Sequence, residues 1–252
     1  SVTAIAVGAA ALIVILSVFN GFEDLVKGLY TDFYADMRVL PAEGKQITLD
    51  SNTVYKITSI DGVTAVSKVI EEKALLANGD YQSIVVVKGV DSVFASTNNI
   101  GKHIVRGVYE MGDVQNPGIV MGAGIENAVG VDVTKGGFPL TLYTPNKGAG
   151  FDAVDGMFAF NVTGRGVFAV QQEFDNKFIF TNIDFLRYML SMSPDQVSGL
   201  EIKINGSPEK IKAAIQHAIG KNFIVETRYE QNKNLYAVMQ MEKWIIYGIL
   251  SL

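Results

Sequence analysis

The sequence predicts an α+β fold: a layer of β-α-β pieces, a β-rich module inserted into it, and an apolar helix at either end. Three observations carry this. Residues 36–91 and 199–226 each alternate strand and helix patterns. Residues 118–192 are dominated by period-two alternation, with Gly, Thr, Asn and Asp at the breaks. The hydrophobic excess of a chain that is 48% hydrophobic is gathered into residues 2–19 and the closing "WIIYGILSL".

The elements follow in order. Residues 2–19 hold no charge, and the first charged residue is Glu23. From 23 to 37 the apolar positions Leu25, Val26, Leu29, Tyr30 and Phe33 recur at three- and four-residue spacing, which is a stripe on an amphipathic helix. "DMRVLP" reads as a short strand, and "SNTVYKITSI" as a helix capped by Ser51 or Asn52. "GVTAVSKVIEEKALLANGDYQSIVVVKGV" reads as two long strands turned at Asn78-Gly79-Asp80. "GIVMGAGIENAVG" is an apolar strand, a tight glycine turn and a short helix. "FPLTLYTP" and "FAFNVTGRGVFAV" alternate as strands, and "KFIFTNIDFLRYML" runs from strand to helix. "GLEIKI" and "NFIVE" are strands around a helix that Ser207-Pro208-Glu209 opens, with proline in the first turn where its missing N–H does no harm. Leu235, Val238, Met239 and Trp244 form a second stripe before the final apolar run.

A membrane span takes about 20 apolar residues. Both ends are therefore expected to be stubs of transmembrane helices on a domain cut from a longer chain. The two stripes would then pack side by side as a stalk, with Leu25, Leu29, Phe33, Leu235, Val238 and Met239 as its contacts.

Composition excludes several functions. A net charge of −5 without a basic cluster argues against nucleic-acid binding. The absence of cysteine removes disulfides, thiol catalysis and thiolate metal sites. In "GIVMGAGIENAVG" the third glycine of a dinucleotide fingerprint is replaced by Asn127, and no acidic residue closes a following parallel strand. Gly101-Lys102 and Gly220-Lys221 lack the upstream glycine of a phosphate loop, so no ATP site is expected on this chain. His103 and His217 have no ligand pattern around them. Glu71-Glu72 point to opposite faces of a strand and cannot share one bond in acid/base catalysis; a solvated strand edge is expected there. No catalytic residue, metal or cofactor is predicted, and the chain is expected not to be an enzyme.

"TPNKGAGFDAVDGMF" joins two strands by a loop far longer than the usual hairpin of about two to five residues. Its apolar residues sit among glycines, which marks Pro145, Asn146, Lys147, Phe151, Val154 and Met157 as a candidate partner-binding loop.

"LSVFNGFEDLVKG", "GIVMGAGIENAVGVDV", "GLEIKINGSPEKI" and "NKNLYAVMQMEKWIIYGILSL", in this order over essentially the whole chain, resemble the lipoprotein-releasing ABC permeases of the LolC/LolE type, within the larger MacB-like and FtsX-like permeases. The resemblance implies a periplasmic domain between the first two membrane helices of a bacterial inner-membrane permease. Residues 1–36 would be the end of the first membrane helix and a stalk. Residues 37–98 and 196–228 would be the two parts of a porter-like layer, 99–195 an inserted sabre-like module, and 229–252 a stalk and the start of the second membrane helix. It further implies a separate cytoplasmic ABC ATPase subunit, a second permease subunit, and a periplasmic lipoprotein carrier hooked by a hairpin loop that corresponds here to residues 144–158. The implied function is coupling of ATP hydrolysis to lipoprotein release. The alternatives are the same fold in an efflux permease or in a regulator of cell-wall hydrolases, or else a membrane-anchored extracytoplasmic binding module.

Overall fold

A computed structural model describes residues 2–136, 139–145, 157–233, 236–238, 241, 244–245 and 248. Helix α1 (Val2–Phe33) runs unbroken for 32 residues into β1 (Met37–Pro41). β2 (Ile47–Thr48), α2 (Ser51–Thr58), β3 (Val63–Asn78) and β4 (Tyr81–Val90) follow. The next elements are β5 (Ile104–Gly107), β6 (Gly118–Gly122), α3 (Ala123–Ala128), β7 (Pro139–Pro145), β8 (Met157–Phe168), α4 (Gln172–Asp175), β9 (Phe178–Asn182) and α5 (Ile183–Met189). The chain returns through β10 (Gln196–Val197), β11 (Gly199–Ile204), α6 (Pro208–Ile219), β12 (Phe223–Thr227) and α7 (Arg228–Gln231). Residues 236–238, 241, 244–245 and 248 are helical.

The fold is mixed α and β, and the long strands and helices read from the sequence form. The β3–β4 turn has Asn78 opposite Tyr81, and Gly79 takes the left-handed conformation at φ 59° that such a turn demands. One local expectation needs correction: the cap of α2 is Asp50, whose Oδ1 accepts from the Thr53 N–H at 2.6 Å, and not Ser51 or Asn52. Asp50 has the extended backbone of a capping residue, at φ −81° and ψ 155°, while Ser51 is already helical.

The long strands join one ten-stranded sheet in the order β12-β1-β11-β3-β4-β9-β6-β8-β5, with β7 bridging β3 and β8. The pairs β3–β4, β4–β9, β9–β6, β6–β8, β8–β7 and β7–β3 close a ring. The β-rich part is thus a small barrel, and β3 and β4 are staves of it as well as strands of the flanking layer. The 16-residue β3 makes this possible: its first half pairs with β11 and its second half with β7. Leu76, Val85, Met121, Leu140, Leu142 and Val162 fill the barrel, continuous with the core beneath α2 and α6 around Ile57, Leu200, Ile211 and Val225. A second core of Tyr30, Phe33, Val69, Phe94, Phe174, Phe178 and Phe180 lies where the end of α1 docks.

Among the described residues no helix is long and apolar enough to cross a membrane, so the expected terminal spans are not shown by the fold.

Candidate functional site: the junction of the terminal helices

The end of α1 is held by aromatic packing and by its last polar groups. Phe33 is buried and stacks on Phe174 at 4.0 Å with rings 5° apart, and Phe178 lies 4.8 Å away. The Tyr30 hydroxyl donates to Glu173 at 2.6 Å. Asp32 accepts from Asn99 Nδ2 at 2.9 Å and lies 3.1 Å from His103 Nε2. Tyr34 packs edge-on against Phe174 at 5.6 Å, and burial, with the Glu173 carboxylate adding to it, pushes its phenol up to about 12.

Beyond α1 the chain enters β1, which pairs antiparallel with β12 so that Met37 faces Thr227. Antiparallel neighbours begin and end at the same place, with facing Cα atoms about 4.5–5.5 Å apart. The arriving helix and the departing helix therefore meet. Arg228 fastens them: its guanidinium pairs with Asp36, its Nε donates to the Tyr34 carbonyl at 3.2 Å and its Nη1 to Thr31 Oγ1 at 3.4 Å. The Arg228 N–H donates to the Asp36 carbonyl at 3.0 Å, and Asp36 Oδ2 accepts from the Ile204 N–H at 3.0 Å. α7 starts from a capping box in which Thr227 and Glu230 bond reciprocally, and Lys212 of α6 pairs with Glu230. Tyr229 and Tyr236 then meet at 4.6 Å.

Beneath the junction lies a charged quartet. Arg38 on β1 sits 2.9 Å from Glu71 on β3, Lys88 on β4 lies 3.3 Å from Glu71, and Lys88 also bonds Glu201 on β11. Phe94 covers Lys88 at 5.3 Å. The expected solvated edge at Glu71 is thus overturned, because β3 is an interior strand. Burial alone would raise the Glu71 carboxyl; the Lys88 ammonium and Arg38 guanidinium outweigh it and hold the group at about 2. No sequence pattern marked this quartet, because its members come from four strands.

The four predicted stalk contacts that lie among the described residues differ in exposure. Phe33 is buried in the domain, Leu29 is half-buried and Leu25 is exposed, as is Val238. Leu235 and Met239 lie outside the described residues. In the candidate loop, Pro145 and Met157 are the last register pair of β7 and β8, and Met157 is exposed. Asn146, Lys147, Phe151 and Val154 lie outside the described residues. Gly122 and Gly124 are packing glycines: a Cβ on them would collide with the Asp175 carbonyl oxygen and with Asn176 Oδ1 respectively. Among the described residues no three metal-ligating side chains gather.

Comparison with known proteins agrees with this architecture. Residues 1–218 match the model of the MacB-like periplasmic core domain. The chain is 26% identical over 263 residues to the lipoprotein-releasing system transmembrane protein LolC of Neisseria meningitidis serogroup B, and 24% identical over 255 residues to LolC of Xylella fastidiosa. Each match covers 100% of this chain and 60% of the relative, so the chain spans about three-fifths of the length of these proteins. Its fold is similar to the crystal structure of the periplasmic region of MacB from Actinobacillus actinomycetemcomitans, with a TM-score of 0.52 at 10% identity over 79% of this chain and 92% of that one. A family model that takes in nearly the whole folded region settles the kinship: the chain belongs to the MacB-like periplasmic core domain family, as a periplasmic domain of the LolC/MacB-like permease type.

Proposed function

We propose that this chain is the periplasmic part of an inner-membrane ABC permease that couples cytoplasmic ATP hydrolysis to release of lipoproteins. The single observation that carries the mechanical side of this reading is the Met37–Thr227 register, which brings the two terminal helices out of the domain together. Neighbouring membrane helices have to leave an extramembrane domain side by side, and this pairing satisfies that requirement. The apolar, outward-facing residues Val7, Ile13, Val14, Val18 and Phe22 of α1 suit lipid contact. In this reading α1 and the α7 end carry motion from the membrane into the sheet. ATP is hydrolysed on a separate subunit, a second permease subunit completes the transporter, and a periplasmic lipoprotein carrier takes the product. The names of the LolC relatives favour lipoprotein as cargo.

The test uses the full parent permease with its ATPase in proteoliposomes loaded with a fluorescent triacylated lipoprotein. ATP-dependent transfer to a soluble carrier is the expected result. ATP turnover that ignores the lipoprotein, with no transfer above an ATP-free control, overturns the cargo. Placement is checked separately. This chain has no cysteine, so in a parent permease cleared of any cysteine elsewhere a single Asp80→Cys reports its compartment by reaction with a membrane-impermeant maleimide in cells with a permeabilised outer membrane. Labelling supports a periplasmic location, and protection until the inner membrane is lysed overturns it.

A further inference from the structure

The charged quartet stitches together strands that are not neighbours. In the order β1-β11-β3-β4, Arg38 reaches over β11 to Glu71, and Lys88 reaches over β3 to Glu201. Glu71 and Lys88 are in addition direct register partners, as are Arg38 and Glu201. Every adjacent pair among the four strands is thus spanned by at least one ion pair.

The stitching lies across the weakest seam on the route from α1 into the sheet. β1 shares five register pairs with β12 but only three with β11, and among the described residues no other strand joins β1 to the rest of the sheet. Load entering through α1 divides: part passes through Phe33 into Phe174 and Phe178, and part follows the chain into β1 and has to cross that seam.

Stability does not explain why charge is used here. Buried ion pairs are poor stabilisers compared with well-packed apolar side chains of the same volume. Lys88 and Glu201 are both only 2% exposed, so their desolvation is nearly complete. Apolar contact is non-directional and tolerates sliding. A charged hydrogen bond is short and directional, and a slip of one residue, about 3.3 Å, would break all of these contacts at once.

We propose that Arg38, Glu71, Lys88 and Glu201 form a shear lock that makes β1, β11, β3 and β4 move as one body when load enters through α1. The proposal rests on the reading of α1 as a force-bearing helix, but its test needs neither ATP nor cargo, so the two fail independently.

The 252-residue chain, in detergent micelles, is pulled in optical tweezers through handles on Gly28→Cys and Asp80→Cys, an axis from α1 to the β3–β4 turn. A control axis joins Asp80→Cys and Lys177→Cys, across β4 and β9 within the barrel. The neutral variant Arg38→Met/Glu71→Leu/Lys88→Met/Glu201→Leu is compared with the unsubstituted quartet, and its melting temperature is measured in parallel. The expected result is a rupture force reduced to about half on the first axis, unchanged on the control axis, at a melting temperature that does not fall. An unchanged force on the first axis overturns the proposal, and so does an equal fall on both axes. Should the fourfold variant not fold, Arg38→Met/Glu71→Leu is pulled in its place, since it leaves the neutral Lys88–Glu201 pair intact. A lower force then supports the lock, and an unchanged force overturns it.

Discussion

Arg228 pairs with Asp36 across 192 residues of chain, and through that contact the last strand of the sheet is tied to the first. Both side chains are largely buried, so each would be left partly unsatisfied without the other. Arg228→Met is expected to lower stability by about 2 kcal/mol. For a chain of this length that is a fall in melting temperature of about 4–8 °C. Spin labels at Gly28 and Tyr236 should report a broader distance distribution in the variant. An unchanged distribution would mean that strand pairing alone sets the geometry.

Phe33 and Leu25 lie on the same helix, two turns apart, and should respond differently. Phe33 is 2% exposed within an aromatic cluster, so Phe33→Ala is expected to cost about 3–5 kcal/mol. Leu25 is 61% exposed, and Leu25→Ala should stay within about 0.5 kcal/mol in a detergent-solubilised chain. Urea melts of the two variants decide the point.

Acid should loosen the sheet through Glu71. Its folded-state value of about 2 lies below the ordinary carboxylate value of 4.5. A depressed carboxyl contributes stability that is fully present above 4.5 and is lost as pH falls toward 2. The contribution is on the order of 3 kcal/mol. Stability measured from pH 7 down to pH 3 should fall more steeply below pH 4.5 in the parent chain than in Arg38→Met/Glu71→Leu, where that carboxyl is gone.

Glycines separate into two kinds, and substitution distinguishes them. Gly122→Ala would drive a methyl into the Asp175 backbone, with an expected loss of about 1–3 kcal/mol or more. Around Gly21 in α1, no atom of the described residues outside its own stretch of helix lies within 4 Å of the point where a Cβ would stand, so Gly21→Ala should be neutral or gain about 0.5–1 kcal/mol. Thermal melts of the pair check both signs.

Gln216 closes the outer edge of β12. Its Nε2 donates to the Phe223 carbonyl at 2.8 Å and its Oε1 accepts from the Val225 N–H at 3.2 Å, as a further strand would do. Exposed edges invite pairing with another chain. Gln216→Ala is expected to cost about 1 kcal/mol and to raise self-association, read by light scattering across a concentration series.

By itself the sequence determined the local elements. Period-two runs gave the long strands, the turn at Gly79 placed the β3–β4 hairpin, and Ser207-Pro208 marked the start of α6. Each of these depends on residues a few positions apart, where side-chain spacing and backbone preference act directly. The absent phosphate loop and absent thiols were legible for the same reason. Only the tertiary structure decided that Asp36 meets Arg228, that Glu71 is an interior residue of a charged quartet, and that β3 serves the barrel and the flanking layer together. Those relationships follow from strand register, which joins residues more than a hundred positions apart through backbone hydrogen bonds that every residue type makes alike. An acidic residue before a first strand and a basic one after a last strand look like ordinary surface charges until the two strands are laid side by side.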